Sequence, residues 1–183
     1  MPMASKAPIT AEECLRVSFE GPDADFIDGQ IVERNVGENQ HSEVRVQLVA
    51  IFLELRKKHP LHIRTELRMQ VSATRFRVAD VAVFLGPRPA ESVPCTPPLV
   101  VAEIVSPDDR YTEITAKLND YMMWGVRHVW LIAPWLRKPH AYGATGLHEL
   151  PALRIPDLEL EITPGRSSAW ESRRSPRVTH RAA

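Results

Sequence analysis

Several ordinary pointers to function are missing from this chain. Among 183 residues there are only two cysteines, Cys14 and Cys95. They lie far apart and lack metal-ligand spacing, so they read as free thiols in a reducing compartment. Net charge is missing too, because 23 basic and 23 acidic residues cancel. No global field draws such a chain onto nucleic acid or an anionic membrane, and a polyanionic partner would have to meet a local patch. No apolar run approaches the roughly 18 residues that span a bilayer. The opening residues, Met1-Pro2-Met3-Ala4-Ser5-Lys6, have no apolar core behind their positive charge, which argues against a secretory signal. Nothing repeats, and nothing divides the chain in two. The expectation is a soluble cytoplasmic protein with one compact domain and no membrane partner.

What the chain does contain is a series of punctuated apolar segments. Residues 1–9 read as a disordered leader. Thr10-Ala11-Glu12-Glu13 has the pattern of a capping box opening a short helix. Asp28-Gly29 between Phe26-Ile27 and Ile31-Val32 signals a tight hairpin. Val44, Leu48, Ile51, Phe52 and Leu55 recur at helical spacing, predicting an amphipathic helix over about 39–58, with Pro60 beyond its end. Strands are predicted over 61–71, 76–84, 99–105 and 126–133, and shorter ones at 138–143, 147–150 and 158–162. A proline-rich loop fills 86–98, and a helix over about 109–124 closes at Gly125. From Pro164 onward hydrophobicity disappears and arginines accumulate, so 164–183 reads as a basic, disordered tail that could grip phosphates. The order of elements predicts an α/β domain over 10–163, a mixed sheet flanked by helices.

Two of the predicted strands each carry an acid within an apolar face. With a period of two, Asp80 shares a face with Phe76, Val78, Ala82 and Phe84, and Glu103 shares one with Leu99, Val101 and Val105. A buried carboxylate is unfavourable by several kcal/mol unless something compensates it, so two on consecutive strands suggest a shared cation. Their oxygens suit Mg²⁺ or Mn²⁺, and the backbone carbonyl of Ile104 offers another hard ligand. On the helix that follows, Lys117 flanks the Ile114–Leu118–Tyr121 stripe and can reach toward the Glu103 strand. Two plainer readings stand beside this one. Lys117 could simply extend its ammonium to water, and the acids could pair with arginines such as Arg77 or Arg110. By parity Arg77 points away from Asp80, which weakens the second of these.

Arg77-Val78-Ala79-Asp80, then Val101-Ala102-Glu103-Ile104-Val105-Ser106-Pro107, then Lys117-Leu118-Asn119-Asp120-Tyr121 and Gly125-Val126-Arg127-His128-Val129-Trp130 follow one another in a distinctive order. Together with the hairpin Asp25-Phe26-Ile27-Asp28-Gly29-Gln30-Ile31-Val32 and with His41-Ser42, they resemble the Uma-type putative restriction endonuclease family of the PD-(D/E)xK nuclease superfamily. The resemblance implies a restriction-endonuclease-like fold, a divalent cation (Mg or Mn), and hydrolysis of DNA phosphodiesters. It implies Asp80 and Glu103 as metal ligands and Lys117 as the catalytic lysine. In the wider superfamily that lysine lies two residues after the glutamate, where this chain has Val105. The chain departs from the family pattern at Ala79, Asp25 and Ala133, none of which removes the trio.

His41, Asp25 and Glu33 are accessory candidates. For His41 a helix-terminus or surface position is favoured over a phosphate donor, and for Glu33 a solvated strand position is favoured. The partner implied is DNA. A homodimer is compatible with cutting two strands, although no dimer signature is visible. The rival functions are a catalytically silent nucleic-acid or protein binding module on the same fold, and a nuclease subunit active only with a partner.

Overall fold

The computed structural model describes Thr10, Glu13 and residues 24–32, 39–107, 109–165 and 170–174. Thr10 and Glu13 make the reciprocal bonds of a capping box. The Thr10 N–H donates to Glu13 Oε2 at 2.7 Å, and the Glu13 N–H donates to Thr10 Oγ1 at 3.2 Å. The rest of the helix they would open lies outside the described residues, as does Glu33.

Strands β1 (Asp25–Ile27) and β2 (Gln30–Val32) form the expected hairpin. Asp28 and Gly29 turn it with φ values of 49° and 91°, the two positive angles of a tight hairpin turn. Helix α1 (Asn39–Arg56) contains no proline or glycine and buries Val44, Leu48 and Phe52, spaced four residues apart along one face. Strands β3 (Leu61–Ser72) and β4 (Arg75–Leu85) form a long antiparallel pair. Beyond the proline-rich loop, β5 (Val100–Ile104) leads into helix α2 (Tyr111–Trp124). That helix stops at Gly125, whose φ of 104° turns its N–H onto the carbonyls of Met122 and Tyr121. Strand β6 (His128–Ala133) then runs parallel to β5, and β7 (Lys138–Gly143) and β8 (Gly146–Glu149) complete the sheet antiparallel. The order is β2-β1-β4-β5-β6-β7-β8, with β3 also on β4.

The sheet separates two cores. On the α1 side, Leu48 and Phe52 pack with Val81, Val83, Ala102 and Ile132, and the Phe52 and Trp130 rings stack with centroids 6.2 Å apart. On the α2 side, Leu118 and Tyr121 pack with Ala82, Phe84, Val101 and Val129. A second sheet, ordered β11-β10-β9, is made from β9 (Leu153–Ile155), β10 (Leu160–Pro164) and β11 (Trp170–Arg174). It departs from the expected disordered tail at 170–174, while 166–169 and 175–183 lie outside the described residues. The stretch 170–174 is a strand, Trp170 is buried in the α1-side core, and its N–H donates to Gln47 Oε1 at 2.8 Å. One large apolar side chain anchors a segment that otherwise reads as solvated.

The site is shaped by how β4 shares one of its edges. Near its start β4 pairs with β1, through Phe26 opposite Phe76 and Ile27 opposite Arg75. Further along, the same edge pairs with β5, through Val81, Ala82 and Val83. Between the two partners, Val78 to Asp80 face a gap. The period-two alternation also slips here. Ala79 packs on the α2 side together with Ala82 and Phe84, an odd and two even positions on one face. The slip falls at Asp80, level with Glu66 on β3, which has a φ of 50°, while the β3–β4 register is the same on either side of it and shifts only between Gln70 and Ser72. Parity set Arg77 apart from Asp80 alone, and the carboxylates that Arg77 pairs with are Asp25 and Asp120. Arg77 lies on the α2 side, as Glu103 does.

Candidate active site

Side chains fill the gap in the sheet. The Asp25 carboxylate accepts the Val78 N–H at 2.8 Å, and the Asp80 carboxylate accepts the Ile104 N–H at 2.8 Å. Each acid thus satisfies a backbone donor that no neighbouring strand reaches. Beyond them opens a cleft of about 420 Å³ lined by residues that include Asp25, His41, Arg77, Asp80, Glu103, Ile104 and Lys117. Asp80 and Glu103 are almost fully buried, at 2% and 6% exposure.

Helix α2 brings the cation. Lys117 Nζ donates to Glu103 Oε2 at 2.7 Å, and one turn further on Tyr121 Oη donates to Glu103 Oε1 at 2.9 Å. The lysine side chain is only 12% exposed, which replaces the picture of an ammonium extended to water with a paired, cleft-lining one. Helix α1 contributes His41 from its first turn. Its Nε2 lies 3.2 Å from Asp80 Oδ2, the oxygen that also accepts the Ile104 N–H. A carboxylate only accepts, so Nε2 carries the hydrogen. Of the favoured reading of His41 as a helix-terminus or surface residue, the helix terminus holds and the surface does not: the residue is buried, with its ring beside Asp80. Among the described residues its Nδ1 is buried without a hydrogen-bond partner.

Arginines form the wall of the cleft. Arg77 donates to Asp25 Oδ2 at 2.9 Å and to Asp120 Oδ2 at 2.6 Å, while Arg75 bridges Asp120 at 2.9 Å and Asp28 at 2.6 Å. The chain of charges Asp28–Arg75–Asp120–Arg77–Asp25 ties the β1–β2 hairpin to β4 and α2. Burial works against the Arg77 charge, yet Asp25 and Asp120 more than offset it and hold the pKa above its ordinary value. Asp25 therefore lines the cleft with its carboxylate already engaged. The sequence reading gave no role to Asp120 or Tyr121. Tyr121 was accessible to it, because Lys117 and Tyr121 are four apart and share a helix face. Asp120 was not, because its partners come from 43 and 45 positions upstream.

A buried acid pair with a lysine, set where an eight-stranded mixed sheet opens, can be compared with known proteins. A model of the Uma2 family, described as "Putative restriction endonuclease", matches residues 11–169. The chain belongs to that family. A crystal structure of a putative nuclease from Anabaena variabilis matches with a TM-score of 0.72 and 23% sequence identity, covering 82% of this chain and 91% of that one. The fold is accordingly restriction-endonuclease-like, a large mixed sheet flanked by helices. Comparison with curated proteins gives no match. Among the described residues no helix is long and apolar enough to cross a membrane.

The donor set bears on which cation would fit. Among the described residues no group of three or more His, Cys, Asp or Glu side chains gathers around a common point. Two carboxylates with a carbonyl nearby instead match what Mg²⁺ accepts, a few protein oxygens with waters and substrate filling the remaining positions.

Proposed function

We propose that this chain is a metal-dependent endonuclease that hydrolyses DNA phosphodiester bonds, with Asp80, Glu103 and Lys117 as its reactive groups. The observation that carries the reading is the convergence of these three side chains, from two strands and a helix, on one cleft of a protein in this family. In an extended strand the N–H and C=O of a residue point to the same side. The Ile104 N–H points at Asp80, so its carbonyl faces that side too and can join both carboxylates in holding Mg²⁺ or Mn²⁺. Such an ion, when bound, polarises a phosphoryl oxygen and lowers the pKa of bound water.

The chain's own groups do the positioning. His41 and the Ile104 N–H hold Asp80 by Oδ2, which fixes the orientation of its carboxylate toward the cleft. Tyr121 and Lys117 hold Glu103 from its two ends. An ammonium has three N–H groups. With one on Glu103, Lys117 can orient a water or stabilise charge on a phosphoryl oxygen. Glu33 keeps its place as an accessory candidate, to be tested by substitution.

A second reading has an observation of its own. Both Glu103 oxygens already accept bonds within the protein, as a purely structural network on a silent binding module would have them. Plasmid nicking separates the two. Purified protein with Mn²⁺ or Mg²⁺ is expected to convert supercoiled DNA to the nicked form, and Asp80→Ala or Glu103→Ala to reduce the rate at least about a hundredfold. Equal nicking by the double variant would assign the activity to a contaminant. Calorimetry adds a readout independent of turnover: Mn²⁺ binding is expected for the wild type and not for Asp80→Asn.

A further inference from the structure

The cleft opens at the carboxyl end of the parallel pair β5–β6, and two exposed aromatic residues stand at that same end. Tyr111, 68% exposed, begins α2 one position before Thr112, which lines the cleft. Trp135, 46% exposed, occupies the turn between β6 and β7 beside Leu136, which is 54% exposed. Leu131 on β6 also lines the cleft, and the strand ends two residues later. At about 3.3 Å per residue the turn starts roughly 7 Å beyond the cleft wall. The turn itself is tight, with the N–H groups of Leu136 and Arg137 both on the Ala133 carbonyl. Turns of this kind ordinarily carry small polar residues. Trp135 is the one exposed tryptophan of the four, the others being buried or half-buried.

Two of the cations at this end are paired with acids, and a third, Arg137, is exposed in the same turn as Trp135. Lys138 is paired with Glu149 at 2.8 Å, Arg110 with Glu113 at 3.5 Å, and the chain as a whole has no net charge. Among the described residues the pairing of these cations at the cleft mouth gives uncharged contacts a share in holding a polyanion there. Aromatic rings supply them by stacking on base faces, a contact that tolerates any sequence. An uninterrupted duplex hides those faces within its own stack, whereas single strands, flaps and frayed ends expose them.

We propose that Trp135, with Tyr111, is a stacking platform for unpaired bases, and that it directs the cleft to single-stranded or junction DNA rather than continuous duplex. The proposal rests on the nuclease reading above. Its test is fluorescence anisotropy of a short labelled oligonucleotide, alone and annealed to its complement, in EDTA so that nothing is cut. The single strand is expected to bind more tightly than the duplex. Trp135→Ala is expected to weaken single-strand binding about fivefold to a hundredfold, with the slope of log K against log salt unchanged. Trp135→Phe, which keeps a ring, is expected to retain most of the affinity. Single-strand binding is also expected to quench wild-type tryptophan emission, and not that of Trp135→Phe. Unaltered thermal melting of both variants separates these effects from misfolding. Equal binding of the single strand by wild type and Trp135→Ala, or a wild-type preference for duplex, would overturn the proposal. If plasmid is still nicked in a metal-dependent way, that result leaves the nuclease reading standing. Failure to bind or cut any DNA overturns both.

Discussion

Arg77 carries the largest electrostatic burden of any single side chain in the cleft wall. It is 5% exposed and neutralises Asp25 and Asp120, themselves 7% and 9% exposed. Removing a buried partner strands the charges it compensated, so Arg77→Met is expected to destabilise the fold by roughly 3–5 kcal/mol in urea unfolding. Its neighbour Arg75 is more exposed and shares its load with Asp28 at the surface, so Arg75→Met is expected to have a much smaller effect. The difference between the two arginines was not legible in the sequence. Period-two counting assigns Arg77 a face, but the count fails where Ala79 and Ala82 pack on the same side. The failure falls level with Glu66, which lies in the left-handed region on the neighbouring strand, and no pattern within β4 announces it.

At the scale of elements, α2 does most of the site building, since Lys117, Asp120 and Tyr121 all project from it toward β4 and β5. Its length is fixed by Gly125. A Cβ there would meet nothing closer than Pro97 Cγ at 3.7 Å, so space is not the constraint. The constraint is the backbone, at a φ of 104°. Gly125→Ala is expected to cost about 1–2 kcal/mol of stability, seen as a lower denaturation midpoint with an unchanged m-value. Elements of this kind were readable in advance. The glycine stop, the Val44–Leu48–Phe52 stripe and the Asp28-Gly29 turn each declare themselves within a few residues. Strands β9 and β11 did not, because they are short and owe their place to contacts with a core formed far upstream. Asp80 and Glu103 could be singled out from the sequence because each interrupts an apolar face, and Lys117 because it flanks the stripe of the next helix in the order the family resemblance implies. His41 could not be placed, because only the tertiary gap in β4 turns a residue of a helix's first turn into a neighbour of Asp80.

For the molecule as a whole, the response of stability to pH has two separable parts. Burial pushes the His128 pKa below its ordinary value of 6.5, with Arg127 adding to the shift and Asp157 opposing it. Over the window from 6.5 down to that lowered value, the unfolded chain takes up the proton first, so stability falls as pH falls. Above 6.5 both states are neutral and His128 contributes no slope. Melting temperature is therefore expected to drop as pH falls below about 6.5, and His128→Gln to flatten that slope. Asp28 acts lower down. Hydrogen bonds from Arg75 and Thr74 depress its pKa below 3.8, so its contribution is present above that value and is lost only on further acidification. A drop in the first window that His128→Gln leaves unchanged would place the sensitivity in another group.

The gap along β4 also leaves a mark on exchange with solvent hydrogen. The amides of Val78 and Ile104 are covered by carboxylate oxygens where a neighbouring strand would ordinarily supply a carbonyl. A sheet amide of the usual kind is released only when strands part, whereas these two are released when one side chain swings away. In deuterium-exchange NMR they should form a pair set apart from the rest of the central sheet, opening by local motion while the amides of β4 and β5 on either side wait for the domain to unfold. That pair of signals would report on the cleft from within its own backbone, without any substrate present.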